Sequence, residues 1–381
     1  MIQTRQNLAL ARRVVIKIGS SLLTDADTGV RMDMVQSIAA QVHSLQQLGI
    51  QVCLVSSGAV ALGRVHLGWL GKTLSVHEKQ AAAAVGQTWL MQVYRQAFST
   101  YDIQVAQMLL TKDDLRHRRR YLNASNTGET LFSAGVVPIV NENDTVVVEE
   151  IKFGDNDTLG ALVSLMIHAD LFVMMTDVDG LYNANPNHDK HAERCSMIHA
   201  LDDKVMAMAG DTDNQFGTGG MQSKLIASKI AIRGGVASAI INGHEQDVLN
   251  RLLTGEDVGT LFLCGTDRHS RHQHWIADLL HVEGQIHVDK GAAQALEHKG
   301  ASLLPIGVVA VHGEFDKGEC VEVLVGDAVV ARGLTNYNAQ ELKRIQGLAS
   351  QDIESVLGYM DFKSVIHRDN LVLKTGRVND E

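Results

Sequence analysis

Two loops dense in carboxylates and amides, Asn141-Glu142-Asn143-Asp144 and Gly154-Asp155-Asn156-Asp157, carry the most chemical potential in this chain, and the first directly follows the apolar run Gly135-Val136-Val137-Pro138-Ile139-Val140. A buried strand commits its backbone to the sheet, so Asp and Asn side chains at its end are free to grip a small polar ligand. A second group of loops carries cations and hydroxyls. Lys17-Ile18-Gly19-Ser20-Ser21 sets a lysine at a strand end before a glycine, where backbone amides can approach an anion; its bland reading is an edge lysine before a tight turn. Ser56-Ser57-Gly58-Ala59 opens a helix, either as an ordinary N-cap or as a receiver of carboxylate or phosphate.

Gly217-Thr218-Gly219-Gly220-Met221-Gln222-Ser223-Lys224 runs from a glycine cluster into a helix whose first turn holds a lysine. It misses the Walker A spacing, and Gln222 takes the final glycine position of G-x-G-x-x-G, yet it is built for a phosphate. Thr176-Asp177-Val178-Asp179-Gly180 follows another apolar run and reads either as a solvated turn or as a ligand loop.

These loops need a scaffold of strands with aligned ends. Apolar runs at Arg13–Ile18, Val52–Val55, Val105–Leu109, the stretch ending at Val140, Leu171–Met175 and Ala237–Ile241 alternate with helical patterns at Met32–Leu48, His77–Phe98, Arg120–Ser133, Asp157–His168 and Met221–Arg233. That alternation predicts an α/β fold, a mainly parallel sheet sandwiched by helices with right-handed crossovers. Beyond residue 265 the pattern shifts to short strands between glycine turns, predicting a small β-rich barrel with helices near Ala292–Glu297 and Ala339–Ile345. The expected division is residues 1–265, a linker at 266–282, a barrel at 283–361 and an extension at 362–381.

At 381 residues, two domains are expected. A net charge of −10 argues against nonspecific nucleic-acid binding by the whole molecule. The N-terminus lacks a signal-peptide pattern and no apolar run reaches membrane-spanning length, so a cytoplasmic location is expected. Four scattered cysteines show no metal-ligand spacing, and no metal-binding residues are assigned. Arg116-His117-Arg118-Arg119-Arg120 reads as a solvated face. His269, His272 and His274 read as a hydrated linker, and Met174, Met175, Met206 and Met208 as core filler.

The ordered set of Val15–Ser20, Ser56–Ala59, Asn141–Asp144, Gly154–Asp157, Thr176-Asp177 and Thr218–Lys224 resembles the amino acid kinase family. Ile151–Asp157 and Gly217–Met221 resemble its glutamate 5-kinases, and Gly284 to Asp361 is similar to the PUA domain that often follows in bacterial ones. One departure is Asn185-Pro186 where many members have Asp-Pro.

The resemblance implies ATP-dependent phosphorylation of the L-glutamate side-chain carboxylate to L-glutamate 5-phosphate, the first step of proline biosynthesis, with proline as feedback inhibitor. It implies Mg2+ on the phosphates, handover of the product to a glutamate-5-phosphate reductase, and a homo-oligomer, dimer or tetramer. Lys17, Lys224 and Asp157 would be catalytic, Asp157 orienting the lysines by ion pairing; Asp155 competes for that role and the reading favours Asp157. Ser57, Asp144 and Asn156 would bind glutamate. Lys17, Thr176, Asp177, Thr218, Gly219, Gly220, Met221, Gln222, Ser223 and Lys224 would bind ATP.

The chemistry suits these residue types. A carboxylate with a pKa of about 4.3 is already ionised, so its attack needs no general base, only cations and N–H donors against charge repulsion. The alternatives are a kinase for another carboxylate substrate and an RNA-binding protein acting through the PUA-like domain.

Overall fold

The computed structural model describes residues 2–25, 29–146, 156–186, 189, 191–209, 220–264 and 280–373. By its contacts the chain divides into two compact units, Met1–Asp114 with Leu122–Asp267, and Leu115–Tyr121 with Arg268–Glu381.

Among the described residues the first unit holds eight strands: β1 (Arg13–Ile18), β2 (Gln51–Val55), β3 (Val105–Leu110), β4 (Val137–Glu142), β5 (Leu171–Thr176), β6 (Met197–Ile198), β7 (Ala237–Asn242) and β8 (Thr260–Phe262). They lie in the order β3-β4-β2-β1-β5-β7-β8-β6, and every neighbouring pair is parallel except β7 with β8. The central strands read as continuous apolar runs because both faces are covered; β5 is buried along its whole length. Ile18, Val55, Glu142, Thr176 and Asn242 therefore end at one edge of the sheet, which is where the polar loops begin.

The helices that begin or lie in this unit are α1 (Ser20–Leu23), α2 (Met32–Gln47), α3 (Ala59–His66), α4 (Val76–Ser99), α5 (Lys112–Arg116), α6 (Arg118–Ser133), α7 (Asn156–Met166), α8 (Asp203–Ala207), α9 (Met221–Arg233) and α10 (Val248–Leu253); the end of α5 and the start of α6 lie in the segment that groups with the second unit. A capping box between Ser75 and Glu78 starts α4, satisfying backbone donors that the first turn leaves open. Two glycines let α3 and α4 touch backbone to backbone. A Cβ on Gly63 would lie 1.7 Å from the Ala82 carbonyl oxygen, and one on Gly86 would lie 1.8 Å from that of Ala59. This contact fixes the first turn of α3, just after Ser56-Ser57-Gly58.

The second unit is a five-stranded sheet in the order β10-β9-β11-β12-β13, made of β9 (Val282–Val288), β10 (Val308–Gly313), β11 (Cys320–Val325), β12 (Ala328–Thr335) and β13 (Ile366–Leu373). Only β9 and β11 run parallel within it. Ile286, Val321, Val323, Ala331, Tyr337, Leu342 and Ile345 are among its buried core residues.

Three features differ from the expectation. The stretch read as an extension after residue 361 supplies β13, which pairs with β12. The arginine-rich segment, in which Arg116, Arg119 and Arg120 are exposed as a solvated face would be, falls within the span 1–265 expected for the first domain but groups with the second unit. The short strands β6 and β8 were not expected, and β8 reverses direction against β7. The histidines at 269, 272 and 274 lie outside the described residues. Among the described residues no helix is long and apolar enough to cross a membrane.

Gly86→Ala is expected to lower stability by at least about 2 kcal/mol, because neither backbone at the contact can move aside cheaply. Urea unfolding reads it as a lower midpoint at unchanged slope; an unchanged midpoint would mean that α3 and α4 separate freely.

Candidate active site

Lys17 sits one residue from the end of β1, in register with Val55 of β2 and Met174 of β5, and is almost wholly buried. A buried ammonium needs a counter-charge. Asp157, in the first turn of α7 and fully buried, supplies it: Lys17 Nζ lies 2.7 Å from Asp157 Oδ1. The other carboxylate oxygen lies 3.4 Å from Nζ of Lys224, in the first turn of α9. Ser223 Oγ stands 2.8 Å from Asp157 Oδ2 and 2.8 Å from the Gly220 carbonyl, so its single proton has two acceptors within reach. One carboxylate thus gathers two ammonium groups and a hydroxyl from two other chain segments, β1 and α9.

The packing of α7 sets this geometry. Gly160 lies one turn after Asp157 on the same helix face. A Cβ there would come within 2.7 Å of the Phe172 ring on β5 and 3.4 Å of Lys17 Cβ. The missing side chain lets α7 sink against β1 and β5, and Asp157 sinks with it.

Burial by itself would raise the Asp157 carboxyl, but the charges of Lys17 and Lys224 with the Ser223 hydroxyl outweigh it and hold the group below its ordinary value. Burial pulls the Lys224 ammonium below its usual range; Asp157 opposes that shift, Lys17 adds to it, and the charge of Asp177 works with Asp157.

A second cluster lies on the β2 and β4 side. The Asn156 amide, immediately before Asp157, has three acceptors around its Nδ2: the Ser56 carbonyl at 2.8 Å, Ser57 Oγ at 3.0 Å and Asn141 Oδ1 at 3.1 Å. Ser56 Oγ is 3.0 Å from the hydroxyl of buried Tyr94 on α4. Asp144 lies just past the end of β4, and burial pushes its carboxyl up to about 6.

Thr176 closes β5 and donates its hydroxyl to Asp177 Oδ1 at 3.0 Å. Gly19 N–H donates to the Met175 carbonyl at 3.0 Å, tying the first loop to the same strand end. Gly220, Met221, Gln222, Ser223 and Lys224 lead into α9. Thr218, Gly219 and Asp155 lie outside the described residues.

Lys17, Asp157, Lys224 and Ser223 are thus brought together, and Asn156 joins Ser57. Two contributors escaped the sequence reading. Asn141 lay inside the quoted loop but was given no task, and Tyr94 lies mid-helix with nothing in its neighbourhood to set it apart. Among the described residues, no group of three or more His, Cys, Asp or Glu side chains converges to hold a metal ion.

Comparison with known proteins adds the following. Residues 12–242 match the amino acid kinase family and residues 284–357 the PUA domain. Glutamate 5-kinases from Geobacter sp. (strain M21), Geobacter sulfurreducens and Cupriavidus metallidurans are 48%, 49% and 49% identical to this chain, over 97%, 96% and 96% of it and 99%, 98% and 99% of their own lengths. A UMP kinase of solved structure from Bacillus anthracis aligns with 67% of this chain and 97% of its own, at 19% identity and a TM-score of 0.47.

Asp157→Asn removes the carboxylate charge in direct contact with two buried ammonium groups. The expected cost is about 3 to 5 kcal/mol of stability, the range for stripping one partner from a buried pair. A urea midpoint within error of the parent protein would show that the lysines find other compensation.

Proposed function

The chain belongs to the amino acid kinase family, among its glutamate 5-kinases, with a PUA domain after the kinase domain, and we propose that it transfers the γ-phosphoryl group of ATP to the side-chain carboxylate of L-glutamate. The product is L-glutamate 5-phosphate. The observation that carries this reading is the pair of buried lysines on one carboxylate, Lys17 at 2.7 Å and Lys224 at 3.4 Å from Asp157.

Phosphoryl transfer between two anions demands positioning and cations more than proton transfer. The glutamate carboxylate attacks already ionised, the γ-phosphorus to β-oxygen bond breaks, and ADP leaves with the bonding electrons. Lys17 at the β1 end meets the transferring group, and Lys224 with the N-terminal turn of α9 meets the nucleotide phosphates, where helix N–H groups favour an anion. Asp157 aims both lysines without touching substrate protons. Magnesium, held mainly by phosphate oxygens and water, would shield the charge of the transferring group.

Thr176 and Asp177, with residues 218–224, form the nucleotide side. Ser57 and Asn156 receive glutamate oxygens, and Asp144 pairs with the α-ammonium, a role suited to a buried carboxylate waiting for a cation. Placement in proline synthesis rests on the family, and proline as inhibitor fits the same pocket: proline keeps the α-amino and α-carboxylate groups that this side would recognise.

The direct test is ATP turnover with magnesium, trapping the acyl phosphate with hydroxylamine. Hydroxamate should form with L-glutamate and not with aspartate or N-acetylglutamate, and Lys224→Ala should lower its rate at least about a hundredfold, the scale of losing one transition-state donor. Hydroxamate from another substrate, or from none, would sink the reading.

The raised pKa of Asp144 fixes a pH dependence. Its carboxylate is present above about 6 and lost as pH falls through that value, while the substrate side chain stays largely ionised to about pH 5. Glutamate kcat/KM should therefore fall up to about tenfold per pH unit below 6, as proton competition at one site requires, and the step should vanish in Asp144→Asn. A step that persists in the variant assigns it to another group; proline inhibition unchanged in the variant would place the inhibitor away from Asp144.

A further inference from the structure

The chain leaving β5 through Thr176 and Asp177 turns at Gly180 and enters a hairpin. Tyr182 bridges Arg194 in antiparallel fashion, Asn183 N–H donates to the Glu193 carbonyl at 3.0 Å, and Cys195 N–H donates to the Leu181 carbonyl at 2.7 Å. An antiparallel pair in this register would normally exchange two such bonds. Between Leu181 and Cys195 the second is replaced by a side chain. Thr260, the first residue of β8 and fully buried, accepts from Leu181 N–H at 2.8 Å and donates its hydroxyl proton to the Cys195 carbonyl at 2.6 Å.

The neighbourhood is built around that hydroxyl. Gly180 has a φ of +146°, and a Cβ there would lie 2.5 Å from Thr260 Oγ1, so only glycine lets the hydroxyl reach the hairpin. The Arg194 guanidinium reaches back to the Gly259 and Asp257 carbonyls, beside the same strand. Antiparallel pairing of Thr260 with Ile240 of β7 fixes β8 in turn, and β7 lies against β5.

We infer that Thr260 is a positioning residue for the nucleotide: its hydroxyl pins the base of the hairpin and thereby fixes the loop that carries Thr176 and Asp177. The inference rests on the reading of that loop as the nucleotide side of a kinase site. Thr260 touches no substrate itself. A valine there keeps the shape and removes both bonds, leaving a buried N–H and a half-buried carbonyl without that partner.

The test compares Thr260→Val, Thr260→Ser and Asp177→Ala by hydroxamate formation. Thr260→Val should raise KM for ATP by about tenfold or more, the loss of one to two buried hydrogen bonds, and leave KM for glutamate within about twofold. Thr260→Ser, which restores the hydroxyl, should return KM for ATP to within about threefold of the parent. An unchanged KM for ATP in Thr260→Val, equal rises in both KM values, or no rescue by serine would each overturn the inference. Should Thr260→Val yield no folded protein, Thr260→Cys, a weak donor of similar size, is read in its place by the same criteria. Asp177→Ala separates the two readings: if it raises KM for ATP and Thr260→Val does not, the pin alone is wrong, whereas if neither moves it, the nucleotide assignment of this loop fails and the inference with it.

Discussion

The site depends on a single carboxylate holding two like charges near each other in a place water scarcely reaches. Lys17 and Lys224 repel one another, and burial works against a charge at either site; Asp157, in contact with both, offsets these costs, with Asp177 adding to its effect on Lys224. That requirement reaches into the fold. Asp157 must lie as deep as the strand ends, so α7 must approach the sheet closely, and the helix carries glycine at position 160 where the ring of Phe172 leaves no room for a methyl group. The apolar character of α7, buried over almost its whole length, follows from the same depth.

Around this centre the parallel sheet assigns work by strand. The ends of β2 and β4, with Asn156, form the amide and hydroxyl cluster; the end of β5 and the start of α9 form the other side. Adjacent residues Asn156 and Asp157 face different partners, so the first turn of α7 couples the two halves. A shift of that turn alters both at once, and the α3–α4 glycine contact steadies one of its partners, the Ser56-Ser57 loop.

The central strands were legible because a strand covered on both faces must be apolar throughout, which is a local property of the sequence. Lys17 stood out as a charge near the end of an apolar run, and Lys224 as a cation in the first turn of a helix that opens from a glycine cluster. What was not legible depended on partners distant in the chain. β13 contains the polar run from His367 to Asn370 and becomes a strand through its pairing with β12. The strands β6 and β8, of two and three residues, are defined by their neighbours alone. Ser223 read as one more residue of a phosphate loop, whereas its hydroxyl lies against Asp157. Tyr94 and Thr260 act through single hydroxyl groups on otherwise ordinary core positions, and no spacing marks them.

The carboxylate, the two ammonium groups and the pinned hairpin come from positions 17, 157, 224 and 260, in the order in which a ribosome makes them. During synthesis Lys17 emerges before its counter-ion exists; the carboxylate follows well over a hundred residues later, the second cation after that, and the strand that carries Thr260 last. Long-range contacts of this kind form only when the intervening chain is available to close them. A growing chain therefore gains a complete set of charges only near the end of its first unit, and fragments that stop short of β8 lack the hydroxyl that steadies the hairpin after β5.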